Sequence, residues 1–400
     1  MDLHSHLPYW LIKNGIISTF PSLKENEHTD IAIIGAGISG ALAAYYLSDC
    51  GYKVTVIDRR HAGMGSTAAS TALLQYEIDT PLNKLMKLVP EQHAIQAYKL
   101  CREAIYTIQE ICRNIDTTAH FRVRSSLQYA SYKKDIAAHK DEFQTRKKHG
   151  FEVDWLEPQD IADKYGFDAP GAILSKDGAE IDTYKLTYGL LNDATGKDVT
   201  VYNNTTIEHI NSTKKGITLQ TTDGHIIKAK HLVMAGGYES LQYVPKKVAD
   251  IHSTYALVSE PMNTEEFWHK NSLVWETANP YLYFRVTDKN RILVGGKDDT
   301  FYNPRLRSSR TKQKARQLVE TFTKKLPHIH IAADFSWSGA FAVTKDGLPY
   351  IGTIPSMPNT YFALGFGGNG IVFSVIAAAI IRDMIMGKKN TDAGIFSFNR

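Results

Sequence analysis

One short stretch carries side chains suited to gripping a small charged molecule. In "NPYLYFRVTDKNRILVGG" at 279–296, strand alternation puts Tyr281, Tyr283 and Arg285 on one face and Leu282, Phe284 and Val286 on the other. A guanidinium presents a planar pair of donors that matches a carboxylate, and two phenols beside it would wall an apolar site. A satisfied arginine on an edge strand explains the same pattern, and Arg291, six residues on, is a rival cation in a turn. Tyr255 in "STYALVSEP" and Lys345 in "TKDGLPYIG" could line the same cavity, although core packing also accounts for the tyrosine.

A second constellation is suited to phosphate. In "DIAIIGAGISG" at 30–40, an apolar run from Ile31 to Ile34 reads as a buried parallel strand. It leads into Gly35, Ala36, Gly37, Ile38, Ser39 and Gly40, followed by an alanine-rich helix ending near Gly51. In such a turn Gly35 permits the reversal, Gly37 leaves room for phosphate against bare backbone, and Gly40 lets the helix pack on the strand. The open N–H groups of the helix N-terminus would face a pyrophosphate. The next strand, "KVTVID", ends in Asp58, eighteen residues after Gly40, where an acidic residue is expected to hold a ribose hydroxyl. A ligand-free βαβ unit is the plain alternative; a nucleotide with an adenosine diphosphate moiety accounts for more of the pattern.

These residues need a scaffold, and the composition allows one. Four hundred residues, 43% hydrophobic and 22% charged, describe a globular protein large enough for two domains. The net charge of +4 is spread along the chain. The densest basic run, "RLRSSRTKQKAR" at 305–316, has no interleaved aromatics and reads as a solvated face, so no nucleic-acid partner is expected. Cys50, Cys101 and Cys112 form no paired framework and read as reduced thiols. Neither a signal-peptide order at the N-terminus nor an apolar run long enough to span a bilayer is evident; "IVFSVIAAAII" at 371–381 suits a buried helix. A cytoplasmic location without a transmembrane segment is the expectation. The histidines show no metal-ligand spacing, and no metal is expected.

After the opening βαβ unit the chain leaves that pattern. Residues 82–116 read as helical, 121–131 as a strand, 132–149 as a charged helix, 199–237 as short strands with Lys-Gly and Asp-Gly turns, and 253–297 as antiparallel sheet. The last hundred residues return to glycine-rich turns and a buried helix. The layout implies a dinucleotide-binding domain assembled from separated segments, with a second domain inserted between them.

Four motifs together resemble the FAD-dependent D-amino-acid oxidase superfamily, which includes glycine oxidase, sarcosine oxidase and gamma-glutamylputrescine oxidase. They are "IAIIGAGISGALAAYYL…VIDRR", "GSTAASTALL" at 65–74, "HLVMAGGYES" at 231–240, and "DGLPYIG…YFALGFGGNGI" at 346–352 and 361–371. The resemblance implies an α/β fold with an α+β substrate domain. A Rossmann-like FAD-binding domain would be built from 1–75, 155–250 and 330–400, and an antiparallel-sheet substrate domain from 76–154 and 251–329. It implies FAD contacts from Asp58, Arg59 and Arg60, from Gly65, Ser66, Thr67, Ala68 and Leu73, and from the backbone of Ile207. Further contacts are implied from Ala235, Gly236 and Gly237, and from Gly347, Gly367, Gly368, Asn369, Gly370 and Ile371. Arg285 falls near the family position that pairs with a substrate carboxylate.

The chain also departs from sarcosine oxidases. Gly339 stands where they carry the cysteine that tethers flavin, so non-covalent FAD is expected. Ala72 and Gln75 replace arginines past the flavin loop, and Leu293 stands near the oxygen-activating lysine. The implied activity is hydride transfer from an amine or amino acid to flavin N5, giving an imine that hydrolyses. A same-fold dehydrogenase feeding a quinone or carrier protein, and a non-catalytic flavoprotein, remain alternatives. His61 reads as a loop histidine.

Overall fold

The apolar run at 31–34 forms the strand Ile31–Ile34, which pairs in parallel with Val54–Ile57 on one side and His231–Met234 on the other. In the computed structural model, which describes residues 1–115, 117–264 and 267–400, these belong to a six-stranded sheet. Its order is Tyr350–Ile354, Met357–Leu364, His231–Met234, Ile31–Ile34, Val54–Ile57 and Val199–Tyr202. Four widely separated stretches of chain therefore build one dinucleotide-type sheet. Helix Ile38–Ser48 packs between helices Thr183–Thr195 and Gly370–Ile385, which is why its residues are apolar nearly all round. A four-stranded sheet, Ile207–Thr213, Gly216–Thr221, Ile226–Ala229 and Glu27–His28, covers one face, with Ile217, Leu219 and Ile227 packed on Ala32, Leu232 and Phe362.

The second layer is a ten-stranded sheet. At its centre lie Ala333–Val343, Asp250–Ser259, Ile292–Asp299 and Leu282–Val286, antiparallel in that order, with helix Pro304–Lys325 packed on one face. Phe284, Val294, Leu257, Leu318 and Phe322 fill the space between sheet and helix. One irregularity matters later. Tyr255 pairs with Gly296 and Ser253 with Asp299, so the strand Ile292–Asp299 carries one extra residue at this point. Gly296 (φ +123°) and Lys297 (φ +55°) absorb it.

Strand pairing divides the chain differently from the boundaries expected at 155 and 330. Strands Ala172–Glu180 and Ala333–Val343 hydrogen-bond into the ten-stranded sheet, as does Leu73–Gln75, although all three lie within the segments expected to build the nucleotide-binding domain. The expected helix at 82–116 is two helices, Leu82–Leu88 and Glu91–Asn114, broken where Pro90 ends the first; Asp116 lies outside the described residues. The apolar stretch Gly367–Ile385 is long and apolar enough to cross a membrane, but 67% of it is buried inside the protein, against helices Ile38–Ser48 and Glu91–Asn114.

Candidate active site

A single cavity of about 920 Å³ runs from the glycine turn at 35–40 to the ten-stranded sheet, a size in the range of cofactor and ligand sites. At one end the glycine turn is set by contact. A Cβ on Gly35, whose φ is +107°, would stand 2.5 Å from the Ala235 carbonyl oxygen, and one on Gly40 would stand 1.8 Å from that of Gly35. A Cβ on Gly37 would meet Thr67 Oγ1 at 2.9 Å, and that hydroxyl accepts the Ile38 N–H at 2.9 Å. The first and second motifs are thus locked together. Helix Ile38–Ser48 has no side-chain N-cap, which leaves first-turn N–H groups for a ligand. Ser66 Oγ lines the same wall, buried and without a partner.

Asp58 accepts the Ala36 N–H at 2.7 Å and the Arg60 N–H at 2.8 Å. Burial raises its carboxyl above the ordinary value, and these two N–H bonds act in the opposite direction. Arg59 and Arg60 both bind Glu239, Arg60 at 3.0 Å, and Glu239 also pairs with the N-terminal ammonium at 3.2 Å. Ile207, Ala235, Gly236 and Gly237 complete this end of the cavity wall.

In the middle of the cavity, Gly65, Thr67, Leu73, Gly367, Gly368, Gly370 and Ile371 form wall. Asn369 donates to the carbonyls of Gln75 and Glu77, both at 2.9 Å, tying the start of helix Gly370–Ile385 to the second motif. Four expected contacts stand behind the wall. Ala36 and Gly40 shape the turn, Ala68 is buried in Ser66–Ala69, and Gly347 (φ +78°) would meet Thr80 Oγ1 at 2.8 Å if it carried a Cβ.

The third end separates the three residues placed on one strand face. Tyr281 and Tyr283 line the cavity, their ring centroids 5.7 Å apart. Arg285 does not. It is 2% exposed, donates from Nε to the Thr71 carbonyl at 2.9 Å and from Nη1 to Glu180 at 3.3 Å, and also reaches the carbonyls of Val286 and Ile181. Its guanidinium lies 5.5 Å from the centre of the Trp10 ring. The expected carboxylate clamp at Arg285 is therefore corrected: four contacts inside the protein hold its donors away from the cavity. Arg291 is likewise engaged, by the Ser259 carbonyl and Asp334. Tyr255 lines the cavity but donates to Asp299 at 2.9 Å; Lys345 and His61 are not in the wall.

No sequence motif singles out three acids of this end, Glu77, Asp79 and Asp298. A signal for two of them was available. In "LLQYEID", Leu74, Tyr76 and Ile78 are at most 1% exposed, whereas Gln75, Glu77 and Asp79 line the cavity, a period of two.

A glycine-turn helix, a partner acid at the end of the second strand and a pocket roofed by antiparallel sheet define a flavin-dinucleotide oxidoreductase. The chain matches the family described as DAO, FAD dependent oxidoreductase, over residues 30–384, and it belongs to that family. It is 22% identical over 392 residues to gamma-glutamylputrescine oxidoreductase of Escherichia coli (strain K12), across 95% of this chain and 88% of that one. It is 22% identical over 381 residues to glycine oxidase of Bacillus subtilis (strain 168), across 93% and 97%. The crystal structure of glycine oxidase from Geobacillus kaustophilus shares its fold with a TM-score of 0.79 at 20% identity, covering 94% of this chain and 99% of that one.

FAD is the cofactor, and the cavity fits it: the glycine cradle, the unpartnered Ser66 hydroxyl and Asp58 all face it. None of Cys50, Cys101 and Cys112 lines the cavity, and Gly339 stands in its wall. Heat or acid denaturation is accordingly expected to release all yellow colour to the supernatant; flavin absorbance that stays with the precipitated polypeptide would contradict it.

Proposed function

We propose that this enzyme oxidises the C–N bond of a small amine or amino acid, with FAD taking the hydride and its electron pair from the carbon that bears nitrogen. The C–H bond breaks, the nitrogen lone pair forms C=N, and water then hydrolyses the imine. The observation that carries this reading is continuity: one cavity joins the nucleotide cradle to the pocket walled by Tyr281 and Tyr283. In this reading Asp58 holds the ribose, with Arg59 and Arg60 beside the adenosine end. Gly35, Gly37, Ile38, Ser39, Gly65, Ser66 and Thr67 face the diphosphate and flavin. Ile207 and the Ala235–Gly237 turn would hold the adenine, and the Gly367–Ile371 turn would hold the flavin. Tyr281 and Tyr283 exclude water and hold the amine-bearing carbon in place, leaving little for acid–base groups to do.

Anaerobic mixing of the purified enzyme with a panel of primary amines, secondary amines and amino acids tests it. Bleaching of the flavin band by at least one class is the expected result, and no bleaching by any class would remove the reading. Asp58→Ala is expected to weaken FAD binding by about 1.5–3 kcal/mol, the worth of a hydrogen bond to a charged group. Titration of apoprotein with FAD measures this, and an unchanged dissociation constant would argue against the ribose role.

One observation favours a dehydrogenase over an oxidase. Leu293 is fully buried in apolar core, at the position where the family resemblance places an oxygen-activating lysine. Turnover with an artificial dye is expected to exceed turnover with O₂.

A further inference from the structure

The pocket end of the cavity is acidic where a carboxylate-binding site would be basic. Asp79 follows the second motif and is opposite the Gly367–Gly368 turn, with Oδ2 accepting the Gly368 N–H at 3.0 Å. A Cβ on Gly367 would stand 2.6 Å from Asp79 Oδ2, and one on Gly368 2.7 Å from Oδ1, so both glycines are bare because the carboxylate sits on them. Asp79 is exposed, and the surface it presents lines the cavity. Asp298 lies across from it beside Thr254 and Tyr281, and its Oδ1 is shielded from bulk water with no hydrogen-bond partner. Glu77 is 4% exposed and lines the same space, with both carboxylate oxygens lacking a hydrogen-bond donor; Arg146 is 3.6 Å away.

Arg146 offsets Glu77, but the cations that could neutralise Asp79 and Asp298 are placed elsewhere. The lysines and arginines in the cavity wall are Arg59 and Arg60, bound to Glu239 at the nucleotide end, and the solvent-exposed Lys84 and Lys134. Lys314, whose charge reaches Asp298, is ion-paired with Asp299 at 2.7 Å instead. Among the described residues, neither Asp79 nor Asp298 forms an ion pair with a lysine or arginine. Burial holds the Asp298 carboxyl up at about 6 and raises that of Asp79, the condition of acids that lack a counter-charge. A buried carboxylate without a cation is costly, and a cationic ligand removes that cost. The described residues contain no group of three potential metal ligands, and an organic cation is the class of ligand tested below. Tyr281 and Tyr283 supply aromatic wall for a methylene chain and its ammonium.

We propose that the substrate is a diamine or polyamine, whose second ammonium group is held by Asp79 and Asp298 while the first amine is oxidised. This rests on the amine-oxidising reading for its chemistry, but not for its binding. The same two-electron step would apply, bound FAD supplying the hydride acceptor as C=N forms, and water releases the aldehyde with ammonia from a primary amine or an amine from a secondary one. The remote ammonium takes no part beyond holding the chain. Glu77 extends the acidic wall along the cavity for a longer polyamine.

The test uses the FAD-loaded enzyme with 1,4-diaminobutane, n-butylamine and N-methylglycine, scoring both flavin reduction without O₂ and binding, the latter from perturbation of the flavin spectrum or a rise in melting temperature. The diamine is expected to bind and reduce at least about tenfold better than butylamine, the order expected of one charge-assisted contact. In Asp79→Asn and Asp298→Asn enzymes, checked for full FAD content, that preference is expected to collapse towards unity. A diamine no better than butylamine, a preference for N-methylglycine, or Asn variants that keep the diamine preference would each overturn the proposal. Diamine binding that depends on Asp79 without flavin reduction by any amine would keep the cation site and overturn the amine-oxidising reading instead.

Discussion

Gly40→Ala is expected to strip the protein of FAD and to lower its stability by about 3 kcal/mol or more, at or beyond the top of the usual range for overpacking. The added carbon would stand 1.8 Å from the Gly35 carbonyl oxygen. Both partners are backbone, one in a helix and one in the turn that feeds it, so no rotamer change relieves the clash. Relief requires helix Ile38–Ser48 to move off the strand Ile31–Ile34. The same move disturbs the Ile38–Thr67 hydrogen bond that joins the first and second motifs. Gly37→Ala serves as the contrast for stability alone: its new carbon meets only the Thr67 hydroxyl at 2.9 Å, so the melt should shift less, although FAD binding is expected to suffer where Gly37 leaves room for phosphate. The FAD-to-protein absorbance ratio after gel filtration, with a thermal melt, reads both effects. A Gly40→Ala protein with stoichiometric FAD and an unshifted melt would show that the turn has slack the structure denies.

Arg285→Leu is expected to destabilise the fold by about 3–5 kcal/mol, the magnitude for removing one partner of a buried ion pair. Glu180 is 2% exposed and would lose its 3.3 Å contact, although Arg124 at 3.0 Å and Arg122 at 3.8 Å still offset part of its charge. The carbonyls of Thr71 and Ile181 would lose their donor as well. Activity should fall by the same factor for carboxylate-bearing and carboxylate-free amines, since the guanidinium faces away from the cavity. Denaturant unfolding with parallel kcat/KM values on the two substrate kinds decides it. Selective loss of amino-acid oxidation at unchanged stability would restore Arg285 as a substrate clamp.

The difference between Arg285 and its two tyrosine neighbours shows what sequence alone conveys. Alternation correctly gives the face, and Leu282, Phe284 and Val286 do pack into the opposite core. It gives no depth. Whether the third residue on that face meets ligand or protein depends on helix Tyr9–Asn14, whose Trp10 covers Arg285 and donates to the Ser70 carbonyl at 2.6 Å. Nothing local in the strand encodes that contact between residues far apart in the chain. The glycine turn was legible because its requirements are local: a positive φ at Gly35 and no Cβ at Gly40. Glu77 and Asp79 were readable from the same periodicity, but short alternation next to a motif is easily taken for loop.

The extra residue at Gly296–Lys297 has a wider meaning. If the strand ran through 296–299 with the same residues and no bulge, strict alternation would turn Asp298 to the side of Val294 and helix Pro304–Lys325; with the bulge, Asp298 faces the cavity while Asp299 meets Lys314 and Arg310 on that helix. Two adjacent aspartates thus divide one task each, and a single backbone step decides which takes which. Straightening the bulge with every residue kept would exchange their places and alter the charge lining the pocket with no change of residue type. Selectivity on this scaffold is therefore open to change by the place of a bulge as well as by substitution, and two relatives with the same residues in this strand can present different chemistry to their ligands.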